Sequence, residues 1–406
     1  MTTNIDRWLL PDGIEEVLPD EARQLESLRR RLLDLFESWG YELVIPPFVE
    51  YIESLLTGMG HDLDLQTFKL IDQRNGRLMG LRADMTPQVA RIDAHSLGRD
   101  LPTRLCYIGT VLHTKGDGFG GSRSVTQIGA ELYGHTGIES DTELLSLMLE
   151  MLQAAQLNNV YVDLGHVGIF RGLANQANLE TQQEAALFDA LQRKAAPEIS
   201  ELLAQWSLDP AIQQMLTDLV WLNGDYAVIN EARQKLSYAN ADVHQALDDL
   251  HNIATRLQAQ YPTIPLHFDL AELRGYHYHT GLVFAAYVPG MGQAIAQGGR
   301  YDEIGKVFGR ARPATGFSAD MRALLSLSVN DGCVARGIFV SSAGISTGNL
   351  TQEQQTVLEQ TIRQLRQQGE RVVSALPGQN GDGADMGCDR SLVWQGKSWV
   401  IEKLPD

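Results

Sequence analysis

The amino-acid sequence predicts an α+β protein built on a mostly antiparallel sheet. Three observations carry this. Between about residues 65 and 165, short β-rich runs are grouped together and then followed by a helix, rather than alternating strand and helix. From about 170 to 262 the chain changes to Ala, Gln, Leu and Glu at helical spacing, which reads as a helical insertion. Beyond "YPTIP" the β-like runs return, so the interrupted sheet resumes.

Taken in order, "LPDEARQLESLRRRLLDLFESWG" places Leu25, Leu28, Leu32, Leu35, Phe36 and Trp39 on one helical face. Pro19 at its start and Gly40 at its end predict a helix of about 20 residues. "YELVIPPF" reads as a strand halted by two prolines. "QTFKLIDQRNGRLMGLRAD" has a hairpin-like tip at Arg74-Asn75-Gly76, and "RLCYIGTVLHTKG" and "SVTQIGAELYG" read as further strands. A helix in "TELLSLMLEMLQAAQL" and a strand in "NVYVDLGH" precede the insertion. After it, "LHFDLAELRGYHYHTGLVFAAYV" reads as β structure, "GQAIAQGGRYDEIGKVFG" as a strand ending in a tight turn before a helix, and "MRALLSL" as helical. A last segment, 331–406, alternates strand, helix, strand and a hairpin around Gln395-Gly396, a small α/β domain beside a larger one over 1–328.

Of the 406 residues, 44% are hydrophobic and 21% charged, the profile of a folded globular protein. The net charge of −18 argues against a broad nucleic-acid-binding face, because such affinity comes from Lys and Arg displacing counterions. No apolar run is long enough to span a bilayer, and the N-terminus lacks a signal-peptide pattern, so a cytoplasmic protein without membrane association is expected. Cys106, Cys333 and Cys388 are few and far apart, which suggests buried reduced thiols and neither disulfides nor a zinc site.

The polar residues inside β-like runs carry the chemistry: Arg82 and Asp84 with Thr86, Gln127 with Glu131, and Arg274 with Tyr276 and Tyr278. Gln127, Gly129 and Glu131 share one strand face, where a buried carboxylate needs a cation beside it. Two readings stand: Glu131 pairs structurally with Arg274, or both face a ligand. Carboxylates with one guanidinium suit a zwitterion such as an amino acid. His277 and His279, two apart on an expected strand, point to one face and raise the question of a metal. H-x-H alone is a weak signal, and without a clear third ligand a pocket wall is the better reading, with no metal or other cofactor. The glycines of "KGDGFGGSRS" and "GQAIAQGGRYDEIGKVFG" match no phosphate-binding pattern.

These motifs resemble those of histidyl-tRNA synthetases, class II enzymes with an antiparallel-sheet catalytic domain. "LRADMTPQVAR" resembles the family's L-R-P-E-G-T segment and "QIGAE" its Q-x-x-x-E strand. "LRGYHYHTGLVF" is similar to R-G-L-D-Y-Y-x-R-T-V-F-E, "GGRYDEI" to G-G-R-Y-D-x-L, and "PATGFSADMRALL" to the third class II motif. The resemblance spans roughly residues 8–328 in consistent order. It implies that Asp84, Thr86, Gln127, Glu131, Arg274 and Tyr278 stand at positions that hold histidine in that family. His279 stands at a family tyrosine, and His277 at a family aspartate.

The departures fall on the ATP half of the site. His113 stands where the second motif has its arginine, Lys115 where it has a glutamate, and Ala323 where the third motif has its arginine. Arg322 is one position away, a rotation of about 100° on a helix. Without those guanidinium groups, charge on a pentavalent phosphorus goes unstabilised, and amino-acid activation is expected to fail, leaving no catalytic residue. A chain that keeps a histidine pocket and loses ATP chemistry resembles the regulatory subunits of ATP phosphoribosyltransferase. That resemblance implies a short-form catalytic subunit as partner and L-histidine as effector. It also implies a homodimer through helix 19–39 and the following strand, within a hetero-oligomer. The rival readings are a divergent histidyl-tRNA synthetase, or another histidine-activating enzyme, and a scaffold with a vestigial pocket.

Overall fold

The computed structural model describes residues 8–56, 61–116, 121–273, 275–276, 278–328, 337–341, 350–376, 378–379 and 381–404. Arg274, His277, Cys333 and part of the glycine-rich loop 115–124 lie outside them. The chain divides into two compact units, one up to residue 329 and one from residue 330 onward.

The first unit opens with α1 (Pro19–Ser38), whose Pro19 occupies the first turn and whose Leu28, Leu32 and Phe36 are buried. Gly40 then takes a left-handed φ of 81°. Strand β1 (Glu42–Leu43) is shorter than expected, because Pro46 and Pro47 cannot continue a ladder. Strand β2 (Val49–Tyr51), the short helices α2 (Ile52–Leu55) and α3 (His61–Gln66), and the hairpin β3 (Lys69–Ile71) and β4 (Leu78–Leu81) follow. The hairpin forms at the expected tip but joins β2 in a separate small sheet, order β2-β4-β3. Helix α4 (Thr86–Arg91) leads to the long antiparallel pair β5 (Thr103–Leu112) and β6 (Ser124–Tyr133), then α5 (Ile138–Ala154) and β7 (Tyr161–His166).

The insertion comprises α6 (Val167–Gln176), α7 (Thr181–Gln192), α8 (Ala196–Gln205), α9 (Pro210–Leu219), the two-residue β8 (Asn223–Gly224), α10 (Ala227–Lys235) and α11 (Ala241–Gln260). The sheet resumes with β9 (Leu266–Asp269), β10 (Leu282–Tyr287), β11 (Ala296–Arg300) and β12 (Ala314–Asp320), closed by α12 (Met321–Leu327). A 3-10 turn over Ile304–Phe308 stands where a helix was expected, and β12 is a strand the sequence does not announce. Among the described residues the principal sheet runs β1-β5-β6-β12-β11-β10-β7-β9-β8, antiparallel except for β1 with β5 and β7 with β9.

The stretch around the two histidines departs from expectation. Among the described residues between β9 and β10, none belongs to a strand, and Gly275, Tyr276 and Tyr278 are in turns. Gly275 has φ 64°, a left-handed value that ends extended pairing, and its carbonyl accepts from the amides of both Tyr278 and His279 at 2.7 Å. His279 therefore sits in a turn and not on a strand, and the expected shared face with His277 falls outside the described residues.

One face of the sheet packs on α1, α5 and α11 through a large apolar cluster that includes Leu32, Phe36, Leu144, Leu250 and Phe317, with Phe36 and Phe317 edge to face at 6.2 Å. The other face carries Met85, Val89, Leu105, Tyr107, Tyr133 and Tyr301. Strand alternation does this: Phe317 faces the helices while Gly316, opposite Glu131, faces the other side. The second unit has its own sheet, β13 (Ile338–Val340), β14 (Val372–Ser374), β15 (Arg390–Gln395) and β16 (Ser398–Lys403) in the order β14-β13-β15-β16. The helix Gln352–Gln367 begins in a capping box between Thr351 and Gln354 and buries Leu358.

Candidate functional site

A cavity of about 340 Å³ opens on the non-helical face of the large sheet, near the lower end of the roughly 300–1,000 Å³ typical of small-molecule sites. Its floor is β6, β10, β11 and β12, and its rim is the Asp84–Thr86 turn and the turn that carries Tyr278 and His279. Of the residues singled out from the sequence, Asp84, Thr86, Glu131, Tyr278 and His279 line it together. Gln127 stands behind Asp84: its Nε2 donates to Asp84 Oδ1 at 2.8 Å, and its Oε1 accepts from the Met85 amide at 2.9 Å. The Thr86 amide donates to the same Asp84 oxygen at 3.0 Å, so that carboxylate is held before any ligand arrives. Arg274 lies outside the described residues. Arg82, grouped with these from the sequence, is spent elsewhere: its guanidinium donates to the carbonyls of Thr110 at 2.9 Å and Pro46 at 2.8 Å.

Glu131 is the centre of the site and only 1% exposed. Tyr107 donates to it at 3.0 Å, Tyr301 donates to its other oxygen, and the Thr86 hydroxyl is 3.0 Å from Tyr107 Oη. Burial pushes the Glu131 carboxyl up to about 8, against the pull of the two tyrosine hydroxyls. Burial also holds the hydroxyls of Tyr107, Tyr278 and Tyr301 well above the usual phenol range, so all three stay neutral. Tyr278 stacks on Tyr301 with ring centroids 4.9 Å apart, and its buried hydroxyl has no partner among the described residues. An unpaired hydroxyl at a cavity wall is a hydrogen-bonding group ready for a ligand.

Gly316 makes the crowding possible, because a Cβ there would fall 1.5 Å from Glu131 Oε2. Asp163 and Glu272 add to the lining, which among the described residues carries three carboxylates beside the protonated carboxyl of Glu131, and no lysine or arginine. Such a field favours a ligand with a cationic group. No group of three or more His, Cys, Asp or Glu among the described residues is arranged to hold a metal. His267 is paired with Asp163.

Tyr107, Tyr301 and Asp163 went unnoticed as candidate site residues. Asp163 was reachable, since it too is a polar residue inside a β-like run. Tyr301 lies within "GGRYDEI", but neither its sequence position nor that of Tyr107 says that its hydroxyl meets Glu131.

The positions that depart from the synthetase motifs are occupied structurally. His113 Nε2 is bonded to the Ala83 carbonyl at 2.8 Å. Arg322 is paired with Glu21 and Glu15 at 3.2 Å. Neither offers a free cation to a nucleotide.

Comparison with known proteins bears on the fold and the family. The histidyl-tRNA synthetase family model matches residues 13–324, and the ATP phosphoribosyltransferase subunit HisZ C-terminal domain model matches residues 351–402. The chain is 57% identical over 404 residues to the ATP phosphoribosyltransferase regulatory subunit of Thioalkalivibrio sulfidiphilus, covering 99% of this chain and 100% of that one. It is 56% identical over 397 residues to that of Methylococcus capsulatus, covering 98% and 96%. A crystal structure from Bacillus halodurans, described as an ATP phosphoribosyltransferase regulatory subunit/histidyl-tRNA synthetase, superposes with TM-score 0.80 at 28% identity over 93% of this chain and 95% of that one. Histidyl-tRNA synthetase from Nostoc shares the fold, with TM-score 0.76 at 19% identity over 95% of this chain and 91% of that one. With a synthetase-like sheet and these relatives over its whole length, the chain belongs to the family of ATP phosphoribosyltransferase regulatory subunits.

Proposed function

We propose that this chain activates a short-form ATP phosphoribosyltransferase catalytic subunit and lowers that activity when L-histidine fills the cavity. The observation that carries the proposal is Glu131 with Asp84 in a tyrosine-lined pocket, in a chain with His113 and Ala323 at the motif positions that contact ATP in the synthetases. Asp84, Thr86, Gln127, Glu131, Arg274, Tyr278 and His279 are the residues assigned to histidine, with the carboxylates taking its cationic groups and Glu131 giving up its proton as the cation binds. Regulation then needs histidine to bind one state of the assembly better than another. By linkage, whatever factor the catalytic partner applies to histidine affinity, histidine applies to partner affinity.

Leu43 and Ile45 are 44% and 80% exposed at the open edge of the large sheet, beside Phe48, which supports self-association through this face. Reconstitution with a short catalytic subunit tests the whole reading: phosphoribosyl transfer should rise when this chain is added and fall again with histidine. No rise removes the proposal. The rival, a histidine-activating enzyme, requires histidine-dependent ATP–pyrophosphate exchange by this chain alone, and none is expected.

A further inference from the structure

We propose that Arg171, on α6 of the helical insertion, is a positioning residue for the cavity: it holds the turn that presents Tyr278 and His279. The inference rests on the reading of the cavity as a ligand site. Arg171 Nη2 donates to two carbonyls of that turn, Tyr276 at 3.1 Å and His279 at 3.0 Å. These carbonyls lie in a segment without strand pairing, so the guanidinium supplies the register that a ladder would otherwise supply. Both bonds are charge-assisted, and they tie one nitrogen to residues three apart in sequence, so a single side chain clamps the turn that the Gly275 carbonyl folds.

The same turn is anchored to the insertion by its outward side chain. Tyr276 is 4% exposed, its ring lying 5.3 Å from Phe170 and 5.2 Å from Phe188, with the Arg171 guanidinium 5.0 Å from its centroid. Its hydroxyl donates to Glu184 on α7 at 2.6 Å. Lys194, just after α7, pairs with Asp269 at the end of β9 at 2.6 Å. Tyr276 thus points into the insertion while Tyr278, two residues on, stacks on Tyr301 inside the cavity. The wall of the pocket and the first helices of the insertion are one mechanical unit, and Arg171 is its polar hinge pin. A change in how the insertion is held will reach the ligand through this turn, and ligand binding will reach the insertion by the reverse route.

The test uses the full chain with Arg171→Met and Arg171→Lys. Hydrogen exchange of the ligand-free protein reads the turn, and calorimetry with L-histidine as the probe reads the site. Arg171→Met should speed exchange over 275–281 about tenfold or more while β6 and α5 stay as in the wild type. Histidine binding should weaken by about tenfold or more, the equivalent of one charge-assisted bond or better, and Arg171→Lys should recover part of both effects. Unchanged exchange in the turn, or faster exchange with histidine affinity within twofold of wild type, overturns the proposal. If the wild type itself binds no histidine, the histidine reading fails on its own, and the exchange result alone decides whether Arg171 holds the turn. Should Arg171→Met not fold, Arg171→Gln, which keeps one uncharged donor, takes its place with the same criteria.

Discussion

Replacing Glu131 by glutamine keeps the shape of the buried side chain and removes its ionisation, which makes it a direct probe of the site's electrostatics. In the folded chain Glu131 keeps its proton up to about pH 8; in the unfolded chain it loses it near about 4.3. Between those values the unfolded state binds fewer protons, so the wild type loses stability as the pH rises. The contribution of the neutral carboxyl is complete below the lower value and gone above the upper one. At about 1.4 kcal/mol per pH unit, the interval amounts to roughly 5 kcal/mol. Against this, the glutamine NH2 group faces one of the two tyrosine hydroxyls that now donate, Tyr107 or Tyr301, a mismatch costing about 1–3 kcal/mol at every pH. Glu131→Gln should therefore be less stable than wild type near pH 5 and more stable at pH 9. Urea unfolding midpoints at pH 5, 7 and 9 measure it. A difference between the two proteins that stays constant across that range would falsify the account of Glu131 as a buried, neutral carboxyl.

Three further outcomes are expected. Gly316→Ala places a methyl group on Glu131 Oε2, so it should cost about 1–3 kcal/mol of stability by overpacking and weaken histidine binding, read by thermal unfolding and calorimetry together. Ile45→Glu, on the exposed face at the sheet edge, should leave the melting temperature near wild type and shift the mass in analytical ultracentrifugation from dimer to monomer; an unchanged mass places the self-association face elsewhere. Cys106 is buried and its thiol is pushed up to about 12 by burial, so it should resist iodoacetamide at pH 8 in the native chain and react once the chain is unfolded. Mass spectrometry of the Cys106 peptide decides it.

The elements with strong local signals were legible in the chain. Helix α1 shows its caps at Pro19 and Gly40 and its buried stripe at Leu28, Leu32 and Phe36, because helical period and capping are local properties. β5 and β6 were equally clear from alternation, and with them the shared face of Gln127 and Glu131. β12 was not, because "ATGFSAD" owes its extended form to the strands on either side and not to its own residues. The turn at Gly275–Tyr276 and at Tyr278 was misread as strand for the opposite reason: its aromatic and β-branched neighbours carry strand propensity, while Gly275 and the Arg171 clamp decide the backbone.

The sequence by itself determined the α+β class, the helical insertion, the acidic character that opposes a polyanion, and the motifs that point to an amino-acid pocket without ATP chemistry. The class, the insertion and the acidic character follow from composition, periodicity and short-range spacing, which every residue carries with it, whereas the pocket motifs are legible only through their resemblance to a known family. Only the tertiary structure decided which oxygen meets which hydroxyl. Glu131 is ringed by Tyr107 and Tyr301, 24 and 170 residues away, and the pocket wall is pinned by Arg171, 105 residues from Tyr276. Such contacts are made by strand register and helix packing, so their energies have no signature at either end of the chain that makes them.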